Sequence, residues 1–237
     1  MHLERDFAAM LRKNPYPGRG IVLGQTPDGD RAVVVYFIMG RSENSRNRVF
    51  QTEGTGLRAE VFDAEKLEDP SLILYAPVRM AGERTVVSNG DQTDTICAYL
   101  AEGKTFQDAL DTRSFEPDAP HYTPRISGLL EADGRYSLSI MKTIGGNPEG
   151  VCRFFYAYAN PIPGQGHFIH TYQGEGNPLP SFAGEPLLVG VGDDIHDFAR
   201  NIWESLHAEN KIALFVRYIS LRTGDFETVI FNKNGEE

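Results

Sequence analysis

The clearest hydrophobic signal is an unbroken apolar run from Ala32 to Met39. No polar position interrupts it, so it predicts a strand buried on both faces, not one with a wet side. Arg19–Gln25 precedes it, and Pro27-Asp28-Gly29 between them reads as a hairpin turn. Upstream, Leu3, Phe7, Met10 and Leu11 recur at helical spacing until Asn14-Pro15 ends the pattern. Downstream, strands are predicted at 49–52, 57–62, 72–75 (just before Pro77) and Arg84–Ser88. Two helices follow. Gln92–Ala101 is to be capped by Asp91 or Thr93 and stopped by Gly103, and a second, 105–113, opens on the capping-box variant Thr105-x-x-Asp108.

Strands resume at 125–131, Tyr136–Ile144 and 152–158, the last dense in aromatic residues. Residues 159–186 are rich in glycine and proline and read as a long ordered loop or lid. A strand at 187–191 then leads to a helix at 195–206, expected to be capped by Gly192-Asp193. Ile195, Phe198, Ala199, Ile202 and Leu206 share one face of that helix. A final hairpin pairs 212–221 with Phe226–Asn232. Hairpins interrupted by a few helices indicate an α+β fold and exclude a doubly wound parallel sheet. With no repeat or linker, residues 1–237 are expected to form a single domain.

Composition narrows the partners. With 23 basic against 33 acidic residues the net charge is −10, which argues against nucleic acid or an anionic membrane as partner. Cys97 and Cys152 have no CxxC or Cys/His pattern around them, so neither a disulfide framework nor a zinc site is expected. The start is charged and has no long apolar core of a secretory signal, and no run is long enough to span a membrane; a cytoplasmic location is expected. Gly-x-Ser-x-Gly, P-loop and GxGxxG motifs are absent.

Against that acidic background stands GRSENSRNRVF, residues 40–50, with Arg41, Arg46 and Arg48 separated by short polar residues including Asn47. Guanidinium forks bind phosphate or carboxylate bidentately, so the stretch reads as a pocket for a small anion. A solvated turn with locally paired arginines is the alternative. Residues 88–95 offer a second candidate: Asn89-Gly90 turns into a helix start with Asp91 and Thr93, either a plain cap or a site for an anion or carbonyl oxygen. A third is His121-Tyr122-Thr123-Pro124-Arg125, with Glu116 upstream in a loop that gives little reason for burial. His167 and His170 lie in the glycine-rich stretch, where no third ligand has metal-site spacing.

Taken in order, Tyr16, Gly18-Arg19, Tyr36, Arg41-Ser42, Asn47-Arg48, Asn89-Gly90, Thr93-Asp94 and Thr123-Pro124-Arg125-Ile126 resemble the archaeal-type IMP cyclohydrolase family, from about residue 16 to residue 130. The resemblance implies an Ntn-hydrolase-like αββα sandwich of two antiparallel sheets. It implies closure of 5-formamidoimidazole-4-carboxamide ribonucleotide to IMP with loss of water, without metal or cofactor. It places the family's two motif arginines on Arg41 and Arg48, its active-site tyrosine on Tyr75 and its acidic residue on Glu116. On that placement Tyr75 is expected as proton donor or oxyanion partner, Glu116 as general base and Arg41 near the carboxamide or formyl oxygen. Arg46 and Arg48 would hold the 5′-phosphate, and Arg19, Asn47, Asn89, Gly90, Asp91, Thr93 and Arg125 complete the contacts to a purine ribonucleotide. Homo-oligomerisation is left open. No N-terminal nucleophile is implied. The chain departs from the family pattern at Gly40, where serine is usual, in an arginine loop two residues longer, and in the extended 159–186 region. A non-catalytic nucleotide-binding protein and an amide hydrolase on a related ribonucleotide are the rival functions.

Overall fold

The computed structural model describes residues 6–66 and 74–235. One sheet contains β1 (Arg19–Gln25), β2 (Arg31–Met39), β10 (Gln165–His170), β11 (Leu187–Gly190), β12 (Lys211–Ser220) and β13 (Phe226–Asn232), in the order β11-β10-β1-β2-β12-β13. The other runs in chain order through β3 (Arg48–Glu53), β4 (Gly56–Val61), β5 (Tyr75–Ala81), β6 (Arg84–Ser88), β7 (Arg125–Leu130), β8 (Tyr136–Ile144) and β9 (Asn147–Tyr158). Every ladder between these strands is antiparallel.

The period of two along β2 explains its unbroken apolar run. Val34, Tyr36 and Ile38 enter the core between the sheets, where they meet Leu57, Val78, Val87 and Leu138. Val33, Val35, Phe37 and Met39 face the opposite way. There they pack under α1 (Phe7–Lys13) and α5 (Ile195–Ser205). On the far side of the second sheet, Val86, Leu129 and Met141 meet α3 (Gln92–Ala101) and α4 (Phe106–Asp111). A strand wedged between two such layers has no polar face to show, and each fully buried aliphatic side chain contributes about 1.5–3 kcal/mol.

Several elements differ from expectation. The strand expected at 72–75 lies partly outside the described residues; β5 starts at Tyr75 and runs through Pro77 to Ala81. Three steps on β5, Tyr75 to Val78, oppose two on β4, Ala59 to Leu57, and this bulge accommodates a residue without an N–H. Leu3, counted in the first helical pattern, also lies outside the described residues. The loop expected at 159–186 contains β10, an interior strand between β1 and β11. Gly166 permits that pairing, since a Cβ there would stand 3.0 Å from the Leu23 carbonyl oxygen. His167 and His170 therefore leave opposite faces of a strand: His167 Nδ1 meets the Tyr136 hydroxyl and His170 Nδ1 the Tyr172 carbonyl oxygen. Asp194, not Gly192-Asp193, caps α5, accepting from the Asp197 N–H. The Thr105–Asp108 capping box forms as read. Among the described residues no helix is long and apolar enough to cross a membrane.

Candidate functional site

The start of β1, the end of β2, the start of β3, the loop entering β7 and the chain leaving β10 meet at one end of the sandwich. They enclose a cavity of about 340 Å³ lined by Tyr16, Arg19, Arg41, Ser42, Asn44, Ser45, Arg48, Glu116, Asp118, His121, Thr123, Tyr172 and Leu179.

Two arginines of the 40–50 stretch reach it and one does not. The segment folds as a single helical turn, α2 (Glu43–Arg46), capped by the Ser42 hydroxyl, which accepts from Ser45 N–H. Arg41 comes before the turn and stacks over the Tyr16 ring at 4.9 Å, exposed at the rim. Arg48 follows it and is only 1% exposed, donating from Nε to the Ser45 carbonyl and from Nη2 to the Ser45 hydroxyl, each at 2.8 Å. Arg46 is rotated away: its guanidinium donates to the Gly40 carbonyl and Asn210 Oδ1. It does not line the cavity. Asn47 is likewise committed elsewhere, clamping the Asp63 backbone through two 2.7 Å bonds. The departure at Gly40 has a steric reason. A Cβ there would stand 2.2 Å from the Ser45 hydroxyl that Arg48 uses.

Arg19 brings the third cation. Its side chain makes no hydrogen bond among the described residues, and its Nε is buried without a partner. Asn44 Oδ1 is orphaned in the same way. Of the buried partnerless side-chain atoms among the described residues, only Ser139 Oγ lies outside this cavity's lining. Buried polar groups are nearly always paired, so unpaired ones facing a cavity mark a place for a ligand. Burial holds the Arg48 guanidinium below its usual range, and the nearby Arg19 charge adds to this. For Arg19 burial works in the same direction, but Glu116 and the surrounding tyrosines outweigh it and raise its pKa.

Glu116 faces these cations. Expected at the surface, it is 4% exposed, and no hydrogen bond or ion pair reaches its carboxylate among the described residues. Burial raises its pKa above the ordinary carboxylate value, against the opposing pull of Arg19, Arg125 and Arg48. A carboxyl so perturbed beside specific charges in a cavity is a candidate for proton transfer. Beside it, Asp118 takes the Thr123 N–H at 2.6 Å and the Thr123 hydroxyl. The Thr123 oxygen also contacts the Tyr172 hydroxyl, and Tyr172 stacks on Tyr16 with ring centroids 5.9 Å apart.

Tyr75 does not line the cavity. Its hydroxyl lies 2.7 Å from that of Tyr36, linking the two sheets, and it is close enough to Arg19 and Arg48 to affect the charge of both. Burial and the Tyr75 neighbour push the Tyr36 hydroxyl well above the usual phenol range.

The 88–95 turn lies behind this group. Asn89 is tied to the Pro124 carbonyl, the Ile126 N–H and Gln92. Asp91 occupies the N-cap of α3, but its side chain makes no capping bond. Asp91 instead pairs with Arg125 at 2.9 Å and with Arg113, while Thr93 donates to the Gly90 carbonyl. Burial would raise the Asp91 carboxyl, but the Arg113 bond and the Arg125 charge hold it below its usual range. Gly90 leaves room for Arg125, whose Nη1 would stand 1.9 Å from an added Cβ. Arg125 thus supports Glu116 electrostatically from behind and does not open on the cavity.

Of the cavity lining, sequence reasoning assigned roles only to Arg19, Arg41, Arg48 and Glu116; Asp118, Tyr172 and Leu179 were not singled out at all. His121 stood inside a motif already singled out. Tyr172 and Leu179 lie in the region read as a lid, and nothing in the local sequence distinguishes them. Among the described residues no group of three His, Cys, Asp or Glu side chains is placed to hold a metal ion.

Stacked antiparallel sheets with an arginine-lined cavity at one end, backed by a buried carboxylate, define an α+β sandwich protein suited to a small anionic molecule. Residues 16–224 match the model of the IMP cyclohydrolase-like protein family, and the chain belongs to that family. It is 29% identical over 169 residues to the IMP cyclohydrolase of Methanopyrus kandleri, covering 70% of this chain and 79% of that protein. The IMP cyclohydrolase of Halobacterium salinarum is 31% identical over 131 residues, 54% of this chain and 63% of that protein. One from Methanococcus maripaludis is 32% identical over 126 residues, with 51% and 61% covered.

Proposed function

We propose that this chain closes 5-formamidoimidazole-4-carboxamide ribonucleotide to IMP with loss of water, as a cytoplasmic purine-biosynthesis enzyme of Ntn-hydrolase-like fold. The observation that carries the reading is one cavity lined by Arg19, Arg41 and Arg48 together with the buried carboxylate of Glu116. Family membership supports it.

The 5′-phosphate sits with Arg41 and Arg48 and the hydroxyls of Ser42 and Ser45. Arg46 drops out of this set because its guanidinium turns to Gly40 and Asn210 and does not line the cavity. Arg41, read from the resemblance as a neighbour of the carboxamide, stands at the rim where the phosphate enters. Ring closure then joins the carboxamide nitrogen to the formyl carbon. An amide nitrogen is a poor nucleophile, so holding the two atoms about 3 Å apart contributes much of the rate. Glu116 takes the proton from that nitrogen. Arg19 faces the oxyanion that forms on the former formyl oxygen. Glu116 then returns that proton to the oxygen. Tyr75, behind the cavity lining with its hydroxyl against that of Tyr36, supplies the second, with which the oxygen leaves as water. It takes back the proton that the formamido nitrogen loses as the C=N bond forms.

The change in ultraviolet absorbance as the formamido precursor becomes IMP tests this directly. Catalysed IMP formation is expected. Binding of the nucleotide without turnover would leave a nucleotide-binding protein, and turnover of other amides alone would leave an amide hydrolase. A pair of substitutions checks the phosphate assignment. Arg48→Ala is expected to raise KM, losing roughly 2–4 kcal/mol of binding, while Arg46→Ala keeps KM within roughly threefold. The reverse order in steady-state kinetics would move the phosphate.

A further inference from the structure

The cavity lining includes one histidine, which the ring-closure steps leave unused. His121 lines the cavity, and its Nδ1 lies 3.2 Å from the Leu179 backbone nitrogen, which donates to it. A backbone N–H can only donate, so Nδ1 carries no proton while this contact holds. The neutral ring then bears its one proton on Nε2. His121 is therefore a donor of fixed direction. The turn that presents it is also held: the His121 and Tyr122 N–H groups both bond the Asp118 carbonyl, and Tyr122 adopts a left-handed φ of 43°. Leu179, the residue that sets the tautomer, belongs to the extended region in which this chain departs from its family's pattern.

Charge decides what the donor meets. Anionic groups are drawn to Arg41 and Arg48 and repelled by Glu116 and by Asp118, whose carbonyl holds the His121 turn. Asp118 already accepts from Thr123 through both of its oxygens. A neutral acceptor on the ligand suits such a donor, and the base offers one in its carbonyl oxygen.

We propose that His121 is a specificity-determining residue whose Nε2–H donates to the carbonyl oxygen on the base: the carboxamide oxygen of the open form and the 6-oxo group of the closed ring. This rests on the nucleotide placement proposed above. It selects 6-oxo purine nucleotides against 6-amino ones, whose exocyclic group turns hydrogens toward the same donor and leaves it unpaired.

Calorimetric titration with IMP and with AMP tests it, because ribose and phosphate are common to both and the affinity ratio reports the base end alone. The unsubstituted protein is expected to favour IMP by about tenfold or more. His121→Ala should bring the two within about twofold. His121→Gln should keep most of the preference, since its amide oxygen can accept from Leu179 while its NH₂ donates. An unchanged ratio in His121→Ala overturns the proposal, and so does an equal loss of both ligands. An unsubstituted protein that prefers IMP but never forms it would leave His121 in place and remove ring closure instead; one that binds neither nucleotide overturns both. If His121→Ala fails to fold, long-range ¹H–¹⁵N spectra of the native imidazole decide: protonated Nε2 with bare Nδ1 is expected, and the opposite tautomer refutes it.

Discussion

Glu116→Gln is expected to lower kcat by about two to four orders of magnitude while KM changes little, because it removes the group that accepts the nucleophile's proton and preserves its shape. The pH profile gives the sharper signature. The base works ionised, and burial raises its pKa above the ordinary carboxylate value. Activity of the unsubstituted protein should therefore fall as pH drops through a value above about 4.3, the unperturbed glutamate value. That limb should vanish in Glu116→Gln. Stability supplies the control. A carboxyl with a raised folded-state pKa favours the fold most when protonated, and that contribution fades as pH rises through the raised value. A neutral glutamine carries no such loss, so thermal unfolding of Glu116→Gln at pH 7 should occur no lower than for the parent. A parallel loss of activity and melting temperature would instead make Glu116 a folding residue.

Tyr75→Phe is the second large effect. Removing the hydroxyl should cost about 10²–10⁴-fold in kcat with little change in KM. The 2.7 Å contact between Tyr75 and Tyr36 carries a further consequence. If Tyr75 donates to the departing oxygen, Tyr36 donates to Tyr75, and Tyr36→Phe should cost only about five- to tenfold through loss of one neutral hydrogen bond. Steady-state kinetics of both variants check the order. Full turnover in Tyr75→Phe would reduce the pair to a rivet between the sheets.

Much of the scaffold was readable because burial on both faces leaves a one-sided signal. β1, β2, β6 and β8 fall at the expected bounds, as does the buried face of α5. β10 was hidden because Gly164, Gly166 and the flanking prolines break any alternation, although the strand is held from both sides. Inside the arginine stretch the limit was different in kind. Residue types say that guanidinium groups are present, but direction depends on the one turn of α2, which sends Arg48 inward and Arg46 toward Asn210. Asp91 and Thr93 had the chemistry of capping side chains, yet Arg113 and Arg125 claimed the first and the Gly90 carbonyl and Ser88 the second. Glu116 could not be read as buried at all, because its burial comes from residues more than forty positions away in sequence, Arg48 and Tyr172 among them.

The placement of the nucleotide is the claim on which the rest stands, and a crystal structure with IMP bound tests it most directly. The phosphate should lie against Arg41 and Arg48, with the base beside Glu116 and its 6-oxo group toward His121. Density with the phosphate against Glu116, or IMP seated elsewhere on the molecule, would contradict it.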